Sequence, residues 1–268
     1  MKTAVWVCAL RAEEQNHPKP LFSDPYSSII TGSLGNDVIE LMQSRRSDPK
    51  KAQIPYAVVR TRFFDEFIEG QLGQGRVQVV SVGCGLDTRP WRIPWPDGTA
   101  YFELDRNQVH ALKGKKLSGH APKCRLMPVP CEIGRDDIGS LLRNAGLEED
   151  RPVLWLLEGI SMYLDLSVFQ DLMQQIDRLS PPGSSLVCDV FNTQVMLDPK
   201  LSRLLTGLER DGSPIKGGID EPNFLLAGWK STTVQPGEEA ASYGRWPLSV
   251  PPDGDQAPRA FFATYVKA

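Results

Sequence analysis

Gly83 and Gly85 close an apolar run that starts at Val77, and Asp105 stands at the end of the next apolar run. Glycines at a strand end let the backbone turn sharply and approach a ligand with no side chain in between. Asp105 follows Gly83 by 22 positions. A carboxylate that accepts hydrogen bonds from ribose hydroxyls is expected about 20 residues on. A dinucleotide fold requires a third glycine where Thr88 stands, and a phosphate-cradling loop requires Gly-Lys-Ser/Thr where Leu86-Asp87-Thr88 stands. An acid at that place repels pyrophosphate. The expected ligand is therefore an adenosine cofactor without phosphates, S-adenosyl-L-methionine. The competing reading is a glycine turn that binds nothing.

These residues need a parallel sheet to position them. Apolar runs predict strands at 77–82, 99–104, 125–129, 153–157 and 184–190, with helices at 107–117, 136–145 and 166–179 between them. Such alternation is that of an α/β fold with helices on both faces of the sheet. Before it, helical patterns at 3–15, from Asp24-Pro25-Tyr26, at 37–45 and at 56–72 make a helical cap. Residues 192–228 break the rhythm and read as an insertion over the active site. Two late strands at 229–235 and 261–267 form a closing antiparallel hairpin. The expected organisation is one domain over 1–268, with the cap at 1–75, the cofactor-binding core at 76–191, and the insertion and hairpin at 192–268.

Composition narrows the class. With 30 basic against 33 acidic residues the formal net charge is −3, so neither a nucleic-acid surface nor a polybasic membrane patch is expected. Five cysteines without a C-x-x-C pair read as reduced thiols of a cytoplasmic protein. The apolar start at 3–10 is too short for a signal sequence, and Arg11-Ala12-Glu13-Glu14 follows it. No run approaches the roughly 18 apolar residues of a membrane helix. His17, His110 and His120 have no second ligand at a useful spacing, so no metal site is expected.

Several separated motifs, in order, carry a family resemblance. Val-Gly-Cys-Gly-Leu-Asp-Thr-Arg at 82–89, Tyr-Phe-Glu-Leu-Asp at 101–105 and Leu-Leu-Glu-Gly-Ile-Ser-Met-Tyr-Leu at 156–164 resemble the leucine carboxyl methyltransferase family, which is of class I and S-adenosyl-L-methionine-dependent. So do Arg-Ala-Glu-Glu at 11–14, Leu-Phe-Ser-Asp-Pro-Tyr at 21–26, Val-Arg-Thr-Arg at 59–62, Gly228-Trp229 and Tyr-Gly-Arg at 243–245. The resemblance implies a class I methyltransferase Rossmann-like sheet. It places Gly83, Cys84 and Gly85 at the methionyl part of the cofactor, with Asp105 or Glu103 at its ribose. The family's Asp-Leu pair beside the adenine is Glu132-Ile133 here. Arg11 and Arg60 match residues that neutralise the carboxylate of the cofactor or of the substrate. Glu158 matches an acid that accepts from the cofactor's ammonium group, and Tyr163 faces the destination of the methyl group. Arg60 and Tyr163 are the expected catalytic pair.

Plainer roles compete: Glu158 as a helix cap, Tyr163 as core, and Arg60 and Arg62 as partners of Asp65 and Glu66. The chemistry implied is in-line displacement by an acceptor oxygen. A carboxylate, with a reference pKa of about 4, needs no base, whereas a phenol near 10 does. With no histidine beside the expected methyl position, carboxyl methylation is favoured. Within the resemblance, a tetracenomycin-type O-methyltransferase acting on a polyketide-like small molecule is preferred. A protein C-terminal leucine methyltransferase acting on a phosphatase is the alternative, and a catalytically silent cofactor-binding module the more distant one.

Overall fold

The computed structural model describes residues 2–46, 55–73, 78–252 and 256–268. The expected strand start at Val77 lies outside them. Four helices come first: α1 (Lys2–Glu14), α2 (Pro25–Thr31), α3 (Leu34–Ser44) and α4 (Tyr56–Leu72). α2 starts where the sequence gives it both devices of a helix start, Asp24 accepting from the Ser27 amide and Pro25 in the first turn. There follow β1 (Gln78–Val82), α5 (Arg89–Arg92), β2 (Ala100–Asp105), α6 (Asn107–Lys116), β3 (Arg125–Pro130), α7 (Ile138–Asn144), β4 (Val153–Leu157), α8 (Leu166–Arg178) and β5 (Ser185–Phe191). The chain ends with α9 (Ser202–Arg210), β6 (Trp229–Val234), α10 (Glu239–Ser242) and β7 (Ala260–Lys267).

These strands form one seven-stranded sheet in the order β3-β2-β1-β4-β5-β7-β6. The first five are parallel, and β7 runs antiparallel to both β5 and β6. The expected closing pair is thus present, its strands joined through α10. Order reverses between β1 and β4, so their carboxyl ends splay apart and leave the crevice in which such sheets bind ligands. Pro128 and Pro130 sit on edge strand β3, where a missing amide costs no ladder bond.

Strand alternation divides the core. Val153, Trp155 and Leu157 of β4 pack with Phe169, Leu172 and Ile176 of α8 on one face, while Leu154 and Leu156 meet Phe64 and Ile68 of α4 on the other. A third cluster, including Cys8, Ile30, Trp91 and Val109, joins the cap helices to α6.

Polar clamps then fix the cap over the crevice. Asp24 is fully buried and accepts from Arg11 Nε at 3.0 Å, from Thr88 Oγ1 at 2.7 Å and from the Ser27 hydroxyl. The same carboxylate therefore holds α1, α2 and the loop after β1. Arg245 Nη2 donates to Glu14 Oε1 at 2.6 Å, and the Tyr243 hydroxyl donates to Glu66, tying the C-terminal segment to α1 and α4. Asp24→Asn keeps the shape but leaves Arg11 buried without its counter-charge. Losing one partner of a buried pair costs about 3–5 kcal/mol, which urea unfolding will read; a loss under about 1 kcal/mol, the scale of an exposed pair, contradicts the clamp.

Candidate functional site

At the carboxyl ends of β1, β2 and β4 lies a cavity of about 1400 Å3. The loop after β1 forms its floor. Gly83 has φ of +65°, and a Cβ there would stand 2.5 Å from Ile160 Cδ1, so glycine is required both for the turn and for the approach of the strand-β4 loop. Asp105 lines the cavity at the end of β2. Its Oδ2 accepts from the Gly85 amide at 2.8 Å and its Oδ1 from the Arg106 amide at 2.7 Å. A carboxylate offers about four lone-pair sites, so both oxygens retain capacity for ligand hydroxyls.

Beside the loop is a buried charge network centred on Arg89, whose side chain is 2% exposed. Arg89 Nε donates to Asp65 Oδ1 at 2.7 Å, and Nη1 donates to Glu158 Oε2 at 2.6 Å and Asp87 Oδ2 at 3.1 Å. Arg92 grips both oxygens of Asp65 at 2.7 Å each. Glu158, at the end of β4, accepts on Oε1 from Arg60 Nε at 3.0 Å, and Arg60 Nη1 continues to Asp189 Oδ2 of β5 at 2.9 Å. Asp189 also accepts from the Tyr56 hydroxyl at 2.8 Å and from the Gly159 amide at 2.5 Å. Gly159, with φ of +67°, admits this arrangement: a Cβ there would be 2.9 Å from Arg60 Nη1. Burial opposes the charge of Glu158, but Arg89 and Arg60 outweigh it and hold the carboxyl below its ordinary range. Asp87 is likewise buried and held well down by Arg89 and Arg11.

The network tests whether the expected ligand fits. Among the described residues its ion pairs join three guanidinium groups, Arg60, Arg89 and Arg92, and four carboxylates, Asp65, Asp87, Glu158 and Asp189, while Arg11 and Asp24 form a balanced pair of their own. One carboxylate is in excess at low dielectric, where charge imbalance is costly. S-adenosyl-L-methionine, with a sulfonium, an ammonium and a carboxylate, carries one net positive charge. A polyphosphate cofactor would add to the imbalance, so the residues present fit the former.

Most of the residues singled out in the sequence meet at this cavity. Arg11, Arg60, Gly83, Cys84, Gly85, Asp105, Glu132, Ile133, Glu158 and Tyr163 all line it. Arg11 is also structural, its Nη2 donating to the Leu86 carbonyl at 2.6 Å. Glu132 is exposed and pairs with Arg135 at 2.7 Å. Arg62 points away and pairs with Glu66 at 2.7 Å. Glu103 departs from expectation. It is fully buried, does not line the cavity, and its Oε1 accepts from Lys113 Nζ at 2.6 Å. Of the two acids only Asp105 lines the cavity, because residues two apart on β2 share a face but only the strand end reaches the crevice.

The fold also brings together donors that the sequence keeps apart: Cys84, Glu103 and His110 have ligand atoms within 4.8 Å of one another. The Lys113 ammonium already occupies that cluster, 3.8 Å from Cys84 Sγ, and donates to the Asp87 carbonyl at 3.1 Å. A divalent cation there would have to displace a buried ammonium. Burial, followed by Glu103, raises the Cys84 thiol well above its usual range, so it stays protonated.

Arg89, Asp87, Asp189, Lys113 and Tyr56 were not recognised from sequence as site residues. For Asp189 a signal existed, since an acid inside the apolar run of β5 must find a cation or pay a large desolvation penalty. Lys113 gave none, because a lysine in a helix rich in lysines reads as a solvated face.

The leucine carboxyl methyltransferase family matches residues 4–177. A protein of Mycolicibacterium gilvum that carries the provisional name S-adenosyl-L-methionine-dependent methyltransferase is 35% identical over 274 residues, covering 94% of this chain and 89% of that protein. One of the same provisional name from Mycobacterium tuberculosis is 35% identical over 215 residues, covering 75% and 68%. Among solved structures, a DUF574 family protein from Streptomyces avermitilis superimposes with a TM-score of 0.65 at 15% identity, covering 91% of this chain and 95% of that one. At that identity the likeness speaks to the fold.

Two measurements examine the network. Glu158 and Asp87 are held below their ordinary values of 4.5 and 3.8, so the stability they contribute is present above those values and is lost as pH falls through the lowered ones. Stability to urea is expected to stay level between about pH 7 and 5 and to fall below about pH 4, less steeply in Asp87→Asn. Arg89→Met removes the shared cation and is expected to cost about 3–5 kcal/mol at neutral pH. Stability that rises on acidification contradicts the assignment.

Proposed function

The chain belongs to the leucine carboxyl methyltransferase family, and we propose that it is an O-methyltransferase that methylates a small-molecule acceptor, on a carboxylate in preference to a hydroxyl. Its cofactor is S-adenosyl-L-methionine. When bound, the cofactor supplies a methyl group on a cationic sulfur, which an acceptor oxygen takes by in-line displacement. The chain's own residues bind and orient. Gly83 and Gly85 bring backbone to the ligand, Asp105 offers acceptor sites to hydroxyls, and the excess carboxylate of the Arg89 network favours a cation. Tyr163 lines the cavity close to Arg60 and is the residue we assign to orient the acceptor oxygen.

The observation that carries the carboxylate reading is the lack of a histidine base. Among the described residues, no histidine lines the cavity. Asp87 and Glu158 are held below the ordinary range by their arginines, and burial raises the Tyr56 and Tyr163 hydroxyls. Groups so held are poor general bases at neutral pH. A carboxylate arrives without a proton to lose.

Turnover measured by mass gain of the acceptor is expected to be nearly flat from about pH 6 to 9. A rate that climbs tenfold per pH unit across that window would assign the nucleophile to a hydroxyl. Tyr163→Phe is expected to lower turnover by about 1.5–3 kcal/mol, the value of one hydrogen bond to a charged group, or roughly 10- to 150-fold. Unchanged turnover would remove Tyr163 from the mechanism.

A further inference from the structure

Resting on the carboxylate reading, we infer that the acceptor is a lipophilic acid, with its carboxylate at the Tyr163 end and an apolar body under α9. The cavity of about 1400 Å3 exceeds the roughly 300–1,000 Å3 of a site for one small ligand, so beyond the cofactor there is room for a second molecule. The outer half is walled by α9, by Trp6 and Leu10 of α1, and by Trp246 and Leu248.

The pattern along α9 identifies what that half is shaped to hold. Leu201, at the N-cap, and Leu204, Leu205 and Leu208 within the helix recur at i, i+3, i+4 and i+7, an apolar stripe that an amphipathic helix ordinarily lays on the core. Here all four line the cavity, and none belongs to a core cluster of the described residues. The opposite face, Ser202, Arg203, Thr206 and Glu209, is exposed. The helix is held in place from outside its stripe. Asp211 pairs with Lys2 and Arg45 at 2.7 Å each, and Gly207 packs so closely on Arg45 that a Cβ would stand 2.6 Å from Cδ. The stripe therefore faces the cavity as a fixed wall, and its hydrophobic partner is an apolar ligand. A peptide acceptor would want backbone hydrogen-bond partners along that wall, and four leucine side chains offer none.

The probe is a chain-length series of octanoate, dodecanoate and hexadecanoate, titrated calorimetrically into the full chain with S-adenosylhomocysteine present, and separately assayed for methyl ester by mass spectrometry. Affinity is expected to tighten about fourfold per added methylene until the chamber fills. Leu204→Asp is expected to weaken dodecanoate at least 30-fold while S-adenosylhomocysteine binding and thermal unfolding stay unchanged; Thr206→Ala, on the solvent face, leaves all three unchanged. Affinity independent of chain length, unaltered by Leu204→Asp, or exceeded by that of a peptide ending in leucine overturns the inference. Chain-length-dependent binding without ester formation keeps the apolar chamber under α9 but rejects the carboxylate reading, and with it the acid as acceptor. Ester formation on acids of any length alike does the reverse.

Discussion

Everything at this site hangs on Arg89, a guanidinium with almost no access to water, held by Asp65, Asp87 and Glu158. Taking these charges out of water costs several kcal/mol per ion, and hydrophobic residues of the same volume are often as stable. What the network supplies is position. Its members come from α4, α5 with the loop before it, and the end of β4, and Arg60 extends it to β5, so separate elements are drawn to one point by bonds with strict geometry. A charged floor of this kind cannot relax by small increments, because moving one group strands another.

The backbone is shaped to the same purpose. Gly83 and Gly159 lie where two parallel strands leave the sheet, and each has a neighbour, Ile160 or Arg60, in the space a Cβ would fill. The two glycines let the loops of β1 and β4 lie close together above the point where strand order reverses. Lys113 supports the floor from below by joining Glu103, the Asp87 carbonyl and the neighbourhood of Cys84.

The two halves of the cavity differ in origin. Its inner half is made by strand ends and the Arg89 network. Its outer half is made by α9 and the segment before β7, attached to the cap through Asp211, Arg245 and Tyr243. The outer elements are thus fastened to the cap by polar pairs, apart from the strand ends that carry the Arg89 network.

The sequence by itself determined the elements whose signals are local. β4 and α4 have the expected bounds, 153–157 and 56–72, since a continuous apolar run and a helical stripe depend only on near neighbours. The glycine turn and Asp105 were legible because strand, turn and next strand succeed one another at fixed lengths. Tertiary structure decided the pairings. Arg60 meets Glu158 and Asp189 from 98 and 129 positions away, and no periodicity records such distances. It buried Glu103 against Lys113, and it turned the leucines of α9 toward a cavity. A charge or an apolar stripe states in the sequence only that a partner is needed; which partner it finds depends on how the whole chain closes around it.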